Sequence, residues 1–226
     1  LFVAILALQI TCQTKMDSSL TEMREKKNII EAAEFRNHFL LELQGYAKYE
    51  VQLITLYRRF RRPINDTELH PIMEFSDFQL SKSNGKLLQA TSSLQNNADR
   101  DRLFRKNVRI YDWDNDTNYM NMTNFQSTDT IAQMITRGIK QIFMNQAAEA
   151  IASFTFIVKN CLNDLLLTSE ETVTIFINSL RIFKNDTETF LLTKYYVCLG
   201  LLFLVLIIGV LLLRAEYVRL RENITA

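Results

Sequence analysis

Glycine and proline are scarce, five and two in 226 residues. A β-sandwich needs a turn about every 8–12 residues, so this composition excludes one. It also leaves no glycine-rich phosphate loop and no G-x-S-x-G nucleophile elbow. Histidine is scarcer still. His38 and His70 belong to no H-E-x-x-H or H-x-E pattern, and each reads as an ordinary polar residue. No catalytic constellation, metal site or cofactor is expected, and the chain is not expected to be an enzyme. Three cysteines cannot staple a small secreted domain. Neither sign of charge predominates: 26 Lys and Arg against 25 Asp and Glu leave a net +1, which argues against a nucleic-acid partner.

One long apolar run stands out among what is present. Residues 195–213, YYVCLGLLFLVLIIGVLLL, contain 19 residues without a charge or an amide side chain. About 20 apolar residues cross a bilayer as a helix, because every backbone N–H and C=O must be satisfied inside the segment. A core helix keeps a polar stripe, and this run has none. Lys194 precedes it, while Arg214, Arg219 and Arg221 follow, a bias that places the C-terminus in the cytosol. Tyr195 and Tyr196 suit the interfacial belt. A single transmembrane helix and a short cytosolic tail over 214–226 are expected.

The opening LFVAILALQITCQTK has two readings. An apolar stretch diluted by Gln9 and Thr11 fits the end of a signal peptide, with cleavage after Cys12. It also fits the end of a first transmembrane helix. Under the signal-peptide reading residues 13–194 form a luminal or extracellular domain of a type I membrane protein. Four sequons fall there, at Asn65, Asn115, Asn121 and Asn185, none with Pro in the middle position; Asn223 lies in the tail and should stay unmodified. Of the cysteines, Cys198 lies in the span, and only Cys161 is securely in the ectodomain. It reads as a buried small hydrophobe or as an intermolecular disulfide.

Helical spacing dominates the ectodomain. Over 17–60, Ile30, Ala33, Leu40, Ala47, Val51 and Ile54 recur at threes, fours and sevens, interrupted by Asn37 and Gln44. This predicts a broad apolar face with polar gaps, not a strict zipper. Further helices are expected over 86–106, 128–166 and 169–184, the last opened by a capping box from Thr168 to Glu171. Ile139, Ile142, Phe143, Phe154, Ile157 and Leu162 should face inward. Residues 63–85 and 107–127 read as polar connections. The expected class is all-α: a helical hairpin or four-helix-bundle ectodomain followed by one C-terminal span.

Few residues point to chemistry. Asp112, Asp114 and Asp116 alternate as an EF-hand loop begins, but Thr117 stands where Gly is wanted and Thr123 where the bidentate Glu should be. The stretch reads as a solvated loop around Trp113. Two basic clusters remain. Arg58, Arg59, Arg61 and Arg62 cap a helix C-terminus before Pro63, resemble a proprotein-convertase site, or begin an anion-binding patch with Arg100, Arg102, Arg105, Lys106 and Arg109. If the patch is a joint one, both clusters belong at one end of the molecule. In the tail, Tyr217 and Leu220 resemble an adaptor-read sorting signal, against an interfacial tyrosine beside lipid-facing arginines.

The expected function is therefore non-enzymatic. A type I glycoprotein at the plasma membrane or in the secretory pathway would act through its helical ectodomain as an adhesion, receptor-like or accessory protein. Its partners would be membrane lipid, another membrane or extracellular protein, a second copy of itself, or a sulfated glycan. The alternative is a two-span subunit of a channel or transporter complex, with the ectodomain as an extracellular cap.

Overall fold

A computed structural model describes residues 2–60, 69–112, 114 and 117–225, and backbone alone at 2–5, 69 and 222–225. The chain is mostly helical, as the all-α expectation holds. The described elements are α1 (Phe2–Arg59), α2 (Leu69–Ala90), α3 (Asn97–Leu103), β1 (Val108–Tyr111), β2 (Tyr119–Met122), α4 (Asn124–Phe143), α5 (Ala147–Asn160) and α6 (Asp164–Thr225). They divide into two compact units, one of residues 26–179 and one combining 1–25 with 180–226.

In the 26–179 unit, burial along α1 follows two columns of strict seven-residue period. Lys26, Ala33, Leu40, Ala47 and Ile54 are all buried in one; Arg36, Leu43 and Glu50 are buried in the other, flanked by half-buried Ile29 and Tyr57. A repeat of seven is the seam geometry of supercoiled helices. Half-buried Ile29, Ile30, Phe39, Tyr46 and Val51 pack against the core beside these columns, so the expected broad face with polar gaps surrounds the seam. The period is hard to see in the sequence because Lys26, Arg36 and Glu50 hold positions where apolar residues would announce it. Asn37 and Gln44 flank the seam half-buried.

The expected polar connection at 63–85 is also corrected, since α2 occupies most of it. Its buried residues Met73, Leu80 and Leu87 stand seven apart, alternating with buried Ser76, Ser83 and Asn84. Pro71 falls in the first turn, where its missing N–H costs nothing. The helix ends where the Thr91, Ser92 and Ser93 hydroxyls bond the carbonyls of Leu88, Gln89 and Ala90, so the helix expected over 86–106 is broken. α3 restarts behind Asn96, whose side chain accepts from the Ala98 N–H at 3.0 Å.

The connection at 107–127 contains an antiparallel hairpin with Val108 opposite Met122 and Tyr111 opposite Tyr119. Asn160 of α5 docks it, accepting from the Tyr111 N–H at 2.7 Å and donating to the Tyr111 carbonyl at 3.0 Å. A capping box does occur, but at the start of α4, where Thr123 and Gln126 satisfy each other's backbone. The one expected at Thr168 does not: Thr168 lies inside α6 and donates to the Asp164 carbonyl at 2.7 Å.

The helix expected over 128–166 is three pieces. α4 closes with Asn145 at φ 55°, the Asn145 N–H bonding the Ile142 carbonyl and the Gln146 N–H that of Gln141, each at 2.9 Å. This is a Schellman motif with Asn in the left-handed position. Phe143, beside that turn, is 65% exposed, and Leu162, between α5 and α6, is 41% exposed; neither points inward as expected, whereas Ile139, Ile142, Phe154 and Ile157 do. Cross-links fix directions. Arg36 meets Asn84 and Glu42 meets Ser76, so α1 and α2 are antiparallel; Asp77 meets Thr136 and Asn84 meets Asp129, so α2 and α4 are too. Leu40, Leu43, Met73, Leu80, Ile131, Ile135, Phe154, Ile157 and Leu165 form the central core.

The second unit consists of helical stretches from α1 and α6. Ser19 and Thr187 are buried in it. Leu8, Cys12, Ser19 and Glu22 keep the seven-residue columns of α1. The helix expected to stop at 184 does not stop, and α6 carries the one described segment long and apolar enough to cross a membrane; none of that segment is buried.

Candidate functional site

A hollow lies between α4, α5 and the end of β1. It encloses about 490 Å³ and is lined by Met134 and Arg137 of α4, by Ala148, Glu149, Ala152, Ser153 and Phe156 of α5, and by Asp112. Its geometry starts with the Asn145 turn, which sends α5 back along α4. Gly138 then admits Phe154 so closely that a Cβ there would sit 2.7 Å from the ring. Just above this contact, buried Gln141 links the two helices. Its amide satisfies every neighbour when the nitrogen donates to the Glu149 carbonyl (3.0 Å) and the Ser153 hydroxyl (2.7 Å) while the oxygen accepts from Arg137 Nε (3.2 Å). A second hollow of about 350 Å³ shares Asp112, Met134 and Phe156 and continues under Tyr111, Tyr119, Met120 and Met122 of the hairpin.

A polar layer crosses the core elsewhere. Arg36 is fully buried; its Nε donates to Ser169 Oγ at 3.0 Å and its Nη1 to Asn84 Oδ1 at 3.3 Å, and Nη2 has no hydrogen-bond partner among the described residues. Ser169 in turn donates to Asn37, and Asn84 donates to Asp129 at 2.8 Å and to the Phe125 carbonyl at 3.1 Å. Loss of water pulls the Arg36 pKa down to about 9, which still leaves it charged at neutral pH. A second buried pair sets His70 Nε2 3.8 Å from Glu50 Oε1. His38 contacts Glu42 at 3.1 Å on the surface. Among the described residues no group of three His, Cys, Asp or Glu side chains could hold a metal.

Among the described residues the basic side chains do not form one patch. Arg58 and Arg59 are exposed at the end of α1, and Arg61 and Arg62 lie outside the described residues. Arg102 pairs with Glu171 at 2.6 Å, Arg109 with Asp164 at 2.6 Å, and Arg100 donates to the Leu94 carbonyl, leaving Arg105 and Lys106 exposed. The hydrogen bonds that Arg109 donates to Asp164 raise the Arg109 pKa, and they correspondingly lower that of Asp164. Leu103 of α3 packs in a cluster with Ala33 of α1. From Ala33 to Arg58 the helix rises about 37 Å, so Arg58 and Arg59 stand far along α1 from the level of α3. Three of the five second-cluster cations are thus held by the fold itself.

The remaining expected sites scatter. Asn121 is exposed on β2 and Asn185 is exposed on α6; Asn65 and Asn115 lie outside the described residues, as do Trp113 and Asp116. Cys161 is fully buried in the central core, and burial pushes its thiol up to about 12. That position suits the small-hydrophobe reading. Tyr217 and Leu220 are exposed one turn apart on α6.

No protein-family model matches the chain, and no curated protein or solved structure is detectably similar to it. Sequence reasoning passed over Arg137, Gln141, Glu149 and Ser153 because they are polar residues in an otherwise apolar helical pattern. The signal that could have found them is Asn145, a left-handed residue that marks a tight helical hairpin without glycine.

Proposed function

We propose that this chain is a membrane-anchored, non-enzymatic recognition protein whose helical body meets its partner outside the cytosol. The observation that carries this is α6. Leu165, Ser169, Thr172, Ile175 and Phe176 are buried in the body, and the same unbroken helix bears the unburied apolar run 195–213. Arginines after that run orient the tail to the cytosol. The antiparallel contacts of α1, α2, α4 and α5 support a four-helix-bundle ectodomain. Exposed Asn121 and Asn185 support N-glycosylation on the same side. A protein partner, a second copy of the chain or a sulfated glycan are the partners in view. When the chain is translated into sealed microsomes, alkaline carbonate should not extract it. Protease should remove only about 1–2 kDa of tail, 13 residues at roughly 0.11 kDa each, and peptide-N-glycosidase should increase its mobility. Digestion of residues 26–179 in sealed vesicles would overturn the orientation.

A second reading, a two-span subunit of a channel or transporter complex, is favoured by one observation. α1 is continuous from Phe2 past Cys12, and residues 1–25 cluster with 180–226 in one unit. N-terminal sequencing of the mature protein separates the two. A start at Gln13 means a cleaved signal peptide, and retention of residues 1–12 means a second span.

A further inference from the structure

We propose that the cleft between α4 and α5 binds a small zwitterion with an apolar side chain, of the amino-acid class. Charges of both signs face one hollow: Arg137 from α4, Glu149 from the first turn of α5 and Asp112 just past β1, over a floor of Met134, Ala148, Ala152 and Phe156. Arg137 and Glu149 are not ion-paired among the described residues. A ligand of one sign would meet a repelling wall, whereas a ligand carrying both signs satisfies both walls.

Arg137 is not a freely moving surface cation. The Gln141 oxygen takes its Nε, and Gln141 is itself buried and held by Ser153 and the Glu149 carbonyl. With Nε engaged, the two terminal nitrogens are left as a planar fork, the geometry that receives a carboxylate. Glu149 has a local reason to be where it is, since an acid in the first turn complements the helix dipole. No such reason covers Arg137, whose partner one turn on is the neutral Gln141. The cleft's 490 Å³ lies within the range of roughly 300–1,000 Å³ typical of small-molecule sites. The site goes beyond the anchored-recognition reading, and its failure would leave the fractionation and protease results untouched.

The test uses the full chain in lipid nanodiscs and L-phenylalanine as the probe, followed by calorimetric titration. N-acetyl-L-phenylalanine, which lacks the ammonium, and phenethylamine, which lacks the carboxylate, are titrated alongside. Saturable one-site binding of L-phenylalanine is expected, weakened roughly tenfold or more by loss of either charge. Arg137→Gln should weaken L-phenylalanine and leave phenethylamine unchanged, and Glu149→Gln should weaken L-phenylalanine and leave the N-acetyl compound unchanged. Both positions are exposed, so both variants should fold. Ala152→Trp, which fills the floor, should abolish binding with helical circular dichroism retained. Absence of saturable binding, or binding that both charge substitutions leave intact, overturns the proposal.

Discussion

At the scale of single residues, the core is most informative where it is polar. Asp77 sits between α2 and α4, taking a hydrogen bond from Thr136 at 3.1 Å. Burial raises its pKa from 3.8 to about 6, with the Thr136 bond opposing and Glu74 adding to the rise. A carboxyl raised on folding binds its proton more tightly in the folded state. Its stabilising contribution is therefore complete below pH 3.8 and lost as pH rises through about 6. Asp77→Asn should raise the melting temperature at pH 7.5, with the advantage shrinking below pH 6 and gone near pH 4. A pH-independent difference, followed by thermal melts, would refute this assignment. Arg36 poses the opposite problem, a buried cation with no carboxylate at hydrogen-bonding distance among the described residues. Replacing a buried charge by an apolar residue of similar length is often neutral or stabilising. Arg36→Met should therefore stay within about 1 kcal/mol of the parent, while Ser169→Val, which keeps the charge and removes its acceptor, should cost about 1–3 kcal/mol. Chemical denaturation measures both, and a larger loss in Arg36→Met would show that the guanidinium is essential to the layer.

At the scale of elements, the α4–α5 hairpin sets the shape of the candidate site. Gly138 is the only described glycine whose Cβ would clash, against a Phe154 ring that is fully buried. Gly138→Ala gains about 1 kcal/mol of helix propensity and loses about 1–3 kcal/mol through overpacking. A net loss is expected, recovered in part by adding Phe154→Leu, which clears the ring. A Gly138→Ala variant melting at or above the parent would mean that the ring moves aside. The helices were legible from apolar spacing wherever the seam residues are apolar, as in the buried positions of α4. α2 was not, because Ser76, Ser83 and Asn84 hold buried positions and read as loop residues. The hairpin β1–β2 was equally hidden, since four-residue strands leave too short an alternation to distinguish from a polar connection.

At the scale of the whole molecule, charge placement decides what kind of anion partner the body can hold. Arg58 and Arg59 stand about 37 Å along α1 from the level of α3, and Arg102 and Arg109 are already paired. A single sulfated-glycan site that uses both groups is not expected. On a heparin column, charge reversal at Arg58 and Arg59 and at Arg105 and Lys106 should lower the elution salt independently, the combined variant showing the sum of the two shifts. A combined effect well above that sum would show a shared site.

The sequence by itself determined the helical class, through its few glycines and prolines and its threes-and-fours spacing. It also determined the candidate span, because nineteen uncharged residues have no other low-cost environment than a packed core or lipid. Only the tertiary structure decided that α6 is one helix from body to tail, that Arg58 and Arg59 stand far along α1 from the level of α3, and that Arg137 and Glu149 face one cleft. Each of those depends on which helix faces which, and that is settled by contacts between residues distant in the chain, such as Arg36 with Ser169 and Gly138 with Phe154. Local spacing specifies which face of a helix is apolar; the partner of that face is chosen by packing, which no local pattern records.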